Sequence, residues 1–129
     1  MLDEFFNIRI GDFGSALKVE NKYGLTWRKR GTQNYMAPEV RDLNVQDSKA
    51  CFNAFKADVY SLGVCLFILL FKQFPVYKET KDEENPFTVP EIKWWARSDA
   101  ARWLVKQMLH PDYKQRIDLN EVLNDEFLF

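Results

Sequence analysis

Two short motifs hold the residues whose types and spacing are the most chemically distinctive in this chain. The first, Asp12-Phe13-Gly14, joins a carboxylate to a glycine that lets the backbone turn without a side-chain clash. Alone, it fits a strand followed by a tight turn with a capping aspartate equally well, because tripeptides recur by chance. The second motif, residues 31–39, reads Gly-Thr-Gln-Asn-Tyr-Met-Ala-Pro-Glu. Both motifs in this order, one loop apart, are hard to obtain by chance.

At these residues the sequence resembles the eukaryotic Ser/Thr protein kinases, whose activation segment runs from D-F-G to A-P-E. The calcium/calmodulin-dependent kinases are the nearest group. The resemblance makes residues 12–39 the activation segment and implies that ATP and Mg²⁺ are the cofactors of the intact family. It implies cofactor binding by Asp12 (the metal ligand), Phe13 and Gly14, and substrate docking by Gly31, Thr32 and Tyr35. A threonine at position 32 indicates Ser/Thr rather than Tyr specificity.

The resemblance also assigns structural roles. Pro38 and Glu39 suit a helix start, since proline fits the first turn and a carboxylate suits the N-terminus. By resemblance Glu39 pairs with an arginine near the end of the domain, and Arg116 stands at that position. The motif around it is Asp-Tyr-Lys-Gln-Arg, with tyrosine in place of the family's proline. The positions expected to be structural are Ala37, Pro38, Glu39, Asp58, Gly63 and Arg116.

Residues 15–30 are polar and show no period, so they predict a mobile loop. Thr26 offers the most obvious hydroxyl for regulatory phosphorylation. The run Arg28-Lys29-Arg30 is either a partner for a phosphate or a solvated stretch of loop, and we favour the solvated stretch.

Around these motifs the sequence predicts a mainly α fold with one short N-terminal β-hairpin. Residues 1–10 are expected to form this hairpin, because residues 6–10 alternate apolar and polar positions as a half-buried strand does. Residues 56–71 are apolar on every face, so we expect a central helix buried on all sides. Ser98 caps a helix with an apolar stripe, and Asp118 with Glu121 starts a last one, giving C-terminal helices over 98–124.

By resemblance the 129 residues are the C-lobe part of a kinase domain, without the N-lobe. The chain then begins just after the catalytic loop, as it would if an internal methionine were taken for the start. Upstream sequence is the expected source of the missing lobe. Asp58, which accepts catalytic-loop hydrogen bonds in the family, is expected to be buried and unpaired at a cost of about 3–5 kcal/mol. We therefore expect a marginally stable chain with a loose N-terminal third.

Composition and charge are those of an ordinary globular domain. The chain is 47% apolar and 29% charged, and 18 Lys and Arg balance 19 Asp and Glu, so we expect no nucleic-acid partner. The longest apolar run, 62–71, is shorter than the roughly 20 residues of a membrane span, so we expect no membrane partner. Cys65 within it is expected to be buried, and two cysteines fit a reducing, cytoplasmic location.

Several kinase motifs are missing from the sequence: the glycine-rich loop, the phosphate-binding lysine, H-R-D with its general base, and the catalytic asparagine. We therefore expect this chain alone to be inactive, as a pseudokinase is, and to bind ATP and Mg²⁺ weakly or not at all. Three interpretations remain. They are a piece of a Ser/Thr kinase, a non-catalytic module that engages kinase substrates or regulators, and a decayed product without function.

Overall fold

The computed structural model describes residues 1–79 and 82–128, and this part of the chain is mainly α, as predicted. The helices and strands of the described residues are α1 (Pro38–Arg41), α2 (Ala54–Phe71), α3 (Glu91–Trp95), α4 (Asp99–Met108), α5 (Leu119–Leu123), β1 (Leu25–Thr26) and β2 (Phe52–Asn53). The two strands pair antiparallel, with Thr26 opposite Phe52. Single 3₁₀ turns span Phe13–Ser15 and Gln33–Tyr35.

The core is built around α2. This helix begins at Ala54, two residues before the predicted start at residue 56. The Asn53 side chain accepts a hydrogen bond from the Lys56 N–H and caps the helix, which is why it begins at Ala54. One side of α2 packs against α4, α5 and the Gln33–Tyr35 turn. At Gly63 the contact with α4 is so close that an added Cβ would lie 2.8 Å from the Cβ of Met108.

Aromatic rings fill the other end of this core. The ring of Phe67 lies 4.9 Å from that of Phe87, and Phe71 stacks on Trp94 at 5.5 Å between ring centroids. Edge-to-face and stacked ring pairs of this kind add stability beyond the area they bury. The segment 87–94 is therefore held against α2 by apolar contact.

The C-terminal helices match their predicted signals. The Ser98 hydroxyl accepts the Ala101 N–H at 3.2 Å and caps α4, whose predicted apolar stripe is buried: Ala101, Leu104, Val105 and Met108. Asp118 and Glu121 form a reciprocal capping box at the start of α5. These predictions succeed because caps and stripes depend on residues within one or two turns.

The other side of α2 contradicts the sequence prediction. Leu62 is 47% exposed, Leu69 is 78% exposed, and Cys65 is exposed rather than buried. The reason is that α4, α5 and the 87–94 segment all lie on one side, and no described element covers the other. An apolar helix is buried all round only where neighbours surround it.

The whole of α2 is long and apolar enough to span a membrane, although the apolar run 62–71 within it is too short. Its 18 residues have a mean hydropathy of 1.8, and 39% of them are buried inside the protein. A single helix of this kind is weak evidence for a membrane, because core helices pass the same test. The packing of α2 on α4 is the packing of a core helix.

The N-terminal segment also differs from its prediction. In place of a hairpin it has one antiparallel bridge, Leu2 with Ile8, closed by a turn in which the Asp3 carboxylate accepts two backbone N–H groups. The hydrogen bond from the Asn7 backbone is the main reason that the pKa of Asp3 lies below its usual value. Ile8 and Ile10 are 84% and 86% exposed, so the expected half-burial is wrong here.

Candidate functional site

A buried ion pair fixes α1 to the C-terminal part of the chain. Arg116 is fully buried and donates to both carboxylate oxygens of Glu39, at 2.7 Å to Oε1 and 2.9 Å to Oε2. The Glu39 side chain is only 15% exposed. The pairing expected from the resemblance is therefore present, and it is bidentate, the strongest form of this contact.

Every N–H of the Arg116 guanidinium has an acceptor. Besides Glu39, its acceptors are the backbone carbonyls of His110 (2.9 Å), Lys56 (2.8 Å) and Pro111 (3.4 Å). The ring of Tyr60 lies beneath the guanidinium at 4.9 Å. A buried charge is tolerated only when it is paired and fully hydrogen-bonded, and this one is. The result is a rigid point that joins α1, the start of α2 and the segment before α5.

Residues 31–36, which we call the 31–36 segment, precede this anchor and hold the candidate docking residues. Gly31 has φ of 115°, a conformation that favours glycine. Thr32 is exposed, and its side chain makes no capping hydrogen bond to the 3₁₀ turn that follows. The Tyr35 ring meets Phe74 edge-on at 5.4 Å. The segment therefore presents an exposed hydroxyl on a turn whose far end is packed against the body of the protein.

Two polar contacts hold the two sides of this segment. The Ser61 hydroxyl on α2 lies 2.9 Å from the Tyr35 carbonyl oxygen. On the other side the Lys29 ammonium donates to the Arg41 carbonyl at the end of α1. A cation suits the last carbonyls of a helix, so Lys29 ties the loop before the segment to the helix after it.

Asp12 lies apart from these contacts. It is exposed, has a left-handed backbone with φ of 59°, and is followed by Phe13, which is 69% exposed. In the described residues no cluster of three or more His, Cys, Asp or Glu side chains is close enough to hold a metal ion. Mg²⁺ keeps several waters and often takes only one or two protein carboxylates beside substrate phosphates. One exposed carboxylate fits such a partial site.

Asp58 was expected to be buried, but the structure leaves it exposed. It lines an apolar groove of about 610 Å³ together with Phe55, Leu62 and Leu119. Partial burial beside these side chains raises the pKa of the Asp58 carboxyl. Because water still reaches the group, the full cost of an unpaired buried charge does not apply.

Thr26 lies in a strand, so the loop 15–30 is not without regular structure. Its hydroxyl accepts the Arg28 N–H at 3.3 Å, and it is half-buried. The Arg28 guanidinium lies over the Trp27 ring at 5.6 Å. With Lys29 bound to α1, the basic run is thus partly engaged by the protein and not only solvated. Phosphorylation of Thr26 stays a prediction.

The family is settled by comparison with known proteins. A model of the protein kinase domain matches residues 1–128. This chain belongs to the protein kinase family. Its relatives include the CBL-interacting protein kinase 10 of Oryza sativa subsp. japonica, 34% identical over 97% of this chain and 27% of the relative.

Two further relatives are Ser/Thr kinases by name. The CBL-interacting serine/threonine-protein kinase 15 of Arabidopsis thaliana is 34% identical over 98% of this chain and 30% of its own length. The serine/threonine-protein kinase PLK1 of Xenopus laevis is 31% identical over 98% of this chain and 20% of its own length. The family is therefore that of the eukaryotic Ser/Thr kinases, and the chain spans less than a third of the length of these relatives.

Sequence reasoning missed several residues that build the site. Ser61 and Lys29 bind backbone carbonyls, and Lys56 does the same at Arg116. Any residue supplies a carbonyl, so such contacts leave no complementary residue type in the sequence. Phe74, opposite Tyr35, carried no signal beyond being apolar.

Proposed function

We propose that this chain is the C-lobe part of a Ser/Thr protein kinase domain, and that residues 12–39 are its activation segment. The intact kinase would transfer the γ-phosphate of ATP to serine or threonine of a protein substrate. The buried pair between Glu39 and Arg116 is the observation that carries the proposal. It fixes the end of the 12–39 segment to the body of the protein, which is the arrangement that a substrate platform needs.

Phosphoryl transfer depends on positioning and on charge stabilisation more than on covalent chemistry by the protein. Bound ATP with Mg²⁺ supplies the phosphoryl group and neutralises its charge. In this chain Asp12 would hold the metal, with Phe13 and Gly14 shaping its turn. Gly31, Thr32 and Tyr35 would present the substrate. We assign no general base within the 129 residues, so the chain alone is proposed to bind nucleotide weakly and to transfer no phosphate.

The first test is the mass of the endogenous protein, by immunoblot or intact mass spectrometry. A product far above 15.3 kDa would support a full kinase. That product should phosphorylate a Ser/Thr peptide library, and Asp12→Asn should abolish transfer. Asp42→Asn is the matched control, because Asp42 is exposed and its one ion pair among the described residues is with the neighbouring Arg41. Equal activity in both variants would contradict the role of Asp12, and transfer by the 129 residues alone would contradict their inactivity.

A non-catalytic binding module is the second candidate, and the preformed 31–36 segment favours it. The segment is held by contacts of Tyr35 with Ser61 and Phe74, all within this chain. Such a module would bind kinase substrates or regulators through this surface. Co-precipitation of a protein partner with an endogenous product of 15.3 kDa would support this candidate. Tyr35→Ala should then abolish the co-precipitation.

A further inference from the structure

We infer that Ser61 is a positioning residue for the 31–36 segment, acting through the carbonyl of Tyr35. That the segment docks substrate rests on the proposed function; that Ser61 holds the segment rests on geometry alone. Ser61 lies within the Asp-x-x-Ser-x-Gly pattern of α2, to which the sequence assigns no role for the serine itself.

The Ser61 contact is the central observation. Among residues 1–79 and 82–128, Ser61 is the one side chain that donates a hydrogen bond to the 31–36 segment from another element. Its Oγ lies 2.9 Å from the Tyr35 oxygen and 3.2 Å from the Ala57 oxygen, one turn back in α2. A hydroxyl has one proton, and the Ala57 carbonyl already accepts the backbone N–H four residues on. The Ser61 hydroxyl therefore donates its proton to the Tyr35 carbonyl, which has no other donor among the described residues.

The position of Tyr35 sets that of the docking residues. The Tyr35 N–H donates to the Thr32 carbonyl at 3.0 Å, which closes the 3₁₀ turn that follows Thr32. Directly after Tyr35 the chain enters the core, where Ala37 is fully buried. A tether at the Tyr35 carbonyl thus fixes the turn that carries Thr32. Without it, only apolar packing, of Tyr35 on Phe74 and of Tyr35 and Met36 against the core, would hold the turn from outside the segment.

The helix itself gives no reason for a serine at this position. Serine is a poorer helix former than alanine, because its hydroxyl competes for backbone groups. Replacing Ser61 by alanine should therefore leave α2 as stable or more stable. A loss of docking without a loss of stability would separate positioning from a merely structural role.

The test uses the intact protein that carries this chain, with Ser61→Ala, Ser61→Thr and the control Ser48→Ala, which alters an exposed serine in the connection before β2. One net hydrogen bond corresponds to about a fivefold change in an equilibrium, so Ser61→Ala should raise the peptide KM about fivefold. The ATP KM, kcat and Tm should stay unchanged. Threonine keeps the hydroxyl and should restore the peptide KM.

Hydrogen exchange gives a second readout that needs no catalysis. The amides of Tyr35 and Met36, both bonded within the 3₁₀ turn, should exchange faster in Ser61→Ala than in Ser61→Thr or Ser48→Ala. Unchanged exchange in Ser61→Ala would overturn the tether. Faster exchange with an unchanged peptide KM would overturn the positioning role. If the wild type phosphorylates no peptide at all, the proposed function fails, and the exchange result still decides whether Ser61 holds the segment.

Discussion

Arg116 shows how one side chain can hold three parts of a chain together. Its guanidinium is fully buried, and all five N–H groups have acceptors, two of them on Glu39. Removing Glu39 would leave a buried charge without its counterion, and such losses are large. Glu39 is also the partner that the family resemblance implies, because the resemblance specified both ends of the pair.

Glu39→Ala should lower the free energy of unfolding by about 3–5 kcal/mol, the usual cost of breaking a buried pair. Chemical denaturation of the variant against wild type measures it. Asp42→Ala, which removes an exposed partner of Arg41, should cost far less. Equal losses for the two variants would show that Arg116 gains little from its carboxylate.

Asp58 and Asp112 should make opposite contributions to stability as the pH changes. Burial raises the pKa of Asp58, so its favourable contribution is present below about pH 3.8 and is lost as the pH rises through the folded-state pKa. The Lys114 backbone N–H lowers the pKa of Asp112, so its contribution is present above about pH 3.8 and is lost as the pH falls.

Asp58→Asn should therefore raise Tm at pH 7 and leave it unchanged near pH 3. Asp112→Asn should lower Tm at pH 7, with the difference closing at acidic pH. Thermal denaturation of both variants from pH 3 to pH 7 measures this. Parallel curves for the two variants would mean that the surroundings of Asp58 are as polar as those of Asp112.

The sequence predicts side-chain pairs that belong to a motif and misses contacts to the backbone. Glu39 and Arg116 were both specified, although they lie 77 residues apart. Ser61 and Lys29 were not, because a carbonyl acceptor has no residue type to search for. Asp58 was placed correctly along α2, but its exposure depends on neighbours that the sequence of α2 does not contain.

At the scale of elements, the crossing of α2 and α4 depends on the missing side chain of Gly63. An added Cβ would lie 2.8 Å from the Met108 Cβ and 3.2 Å from Leu109 Cδ2. The Met108 Cβ is fixed to the backbone, so the two helices would have to move apart. The gain in helix propensity from glycine to alanine, about 1 kcal/mol, opposes this cost.

Gly63→Ala should nevertheless be destabilising, since overpacking a tight core contact costs about 1–3 kcal/mol. Cys65→Ala on the exposed side of the same helix is the matched control and should be nearly neutral. Denaturant unfolding of both variants tests this. A more stable Gly63→Ala protein would show that α4 shifts freely.

Elements whose signals are local were predicted well, and those whose signals assume a neighbour were not. The caps of α4 and α5 depend on Ser98, Asp118 and Glu121, each within three residues of its partner. The alternation of residues 6–10 shows which face of a strand is apolar, but burial needs something to cover that face. The apolar pattern of α2 misled for the same reason on its exposed side.

At the scale of the whole molecule, one side of α2 exposes apolar side chains to solvent. Phe55, Leu62 and Leu69 are spaced by seven residues, and their exposure is 53%, 47% and 78%. Exposed apolar positions in a row are uncommon on an isolated soluble domain. Their effect on stability depends on whether other polypeptide covers them.

Leu69→Lys should leave the unfolding free energy of the 129-residue chain nearly unchanged and raise the concentration at which it aggregates. In a longer endogenous protein with a covered α2, the same change should be strongly destabilising, because a charge would be buried. Light scattering and denaturation of both forms measure this. If Leu69→Lys destabilises the 129-residue chain as much as the longer protein, Leu69 is already packed in the short chain.

The uncovered side of α2 also bears on how long the chain persists in a cell. Chaperones and proteases act on transiently or permanently exposed apolar surface, and this selection sets abundance. A free 129-residue chain with these apolar side chains exposed to water would be bound by chaperones and degraded by proteases throughout its lifetime. Its steady-state amount would then follow the supply of whatever polypeptide covers α2, rather than the rate of its own synthesis.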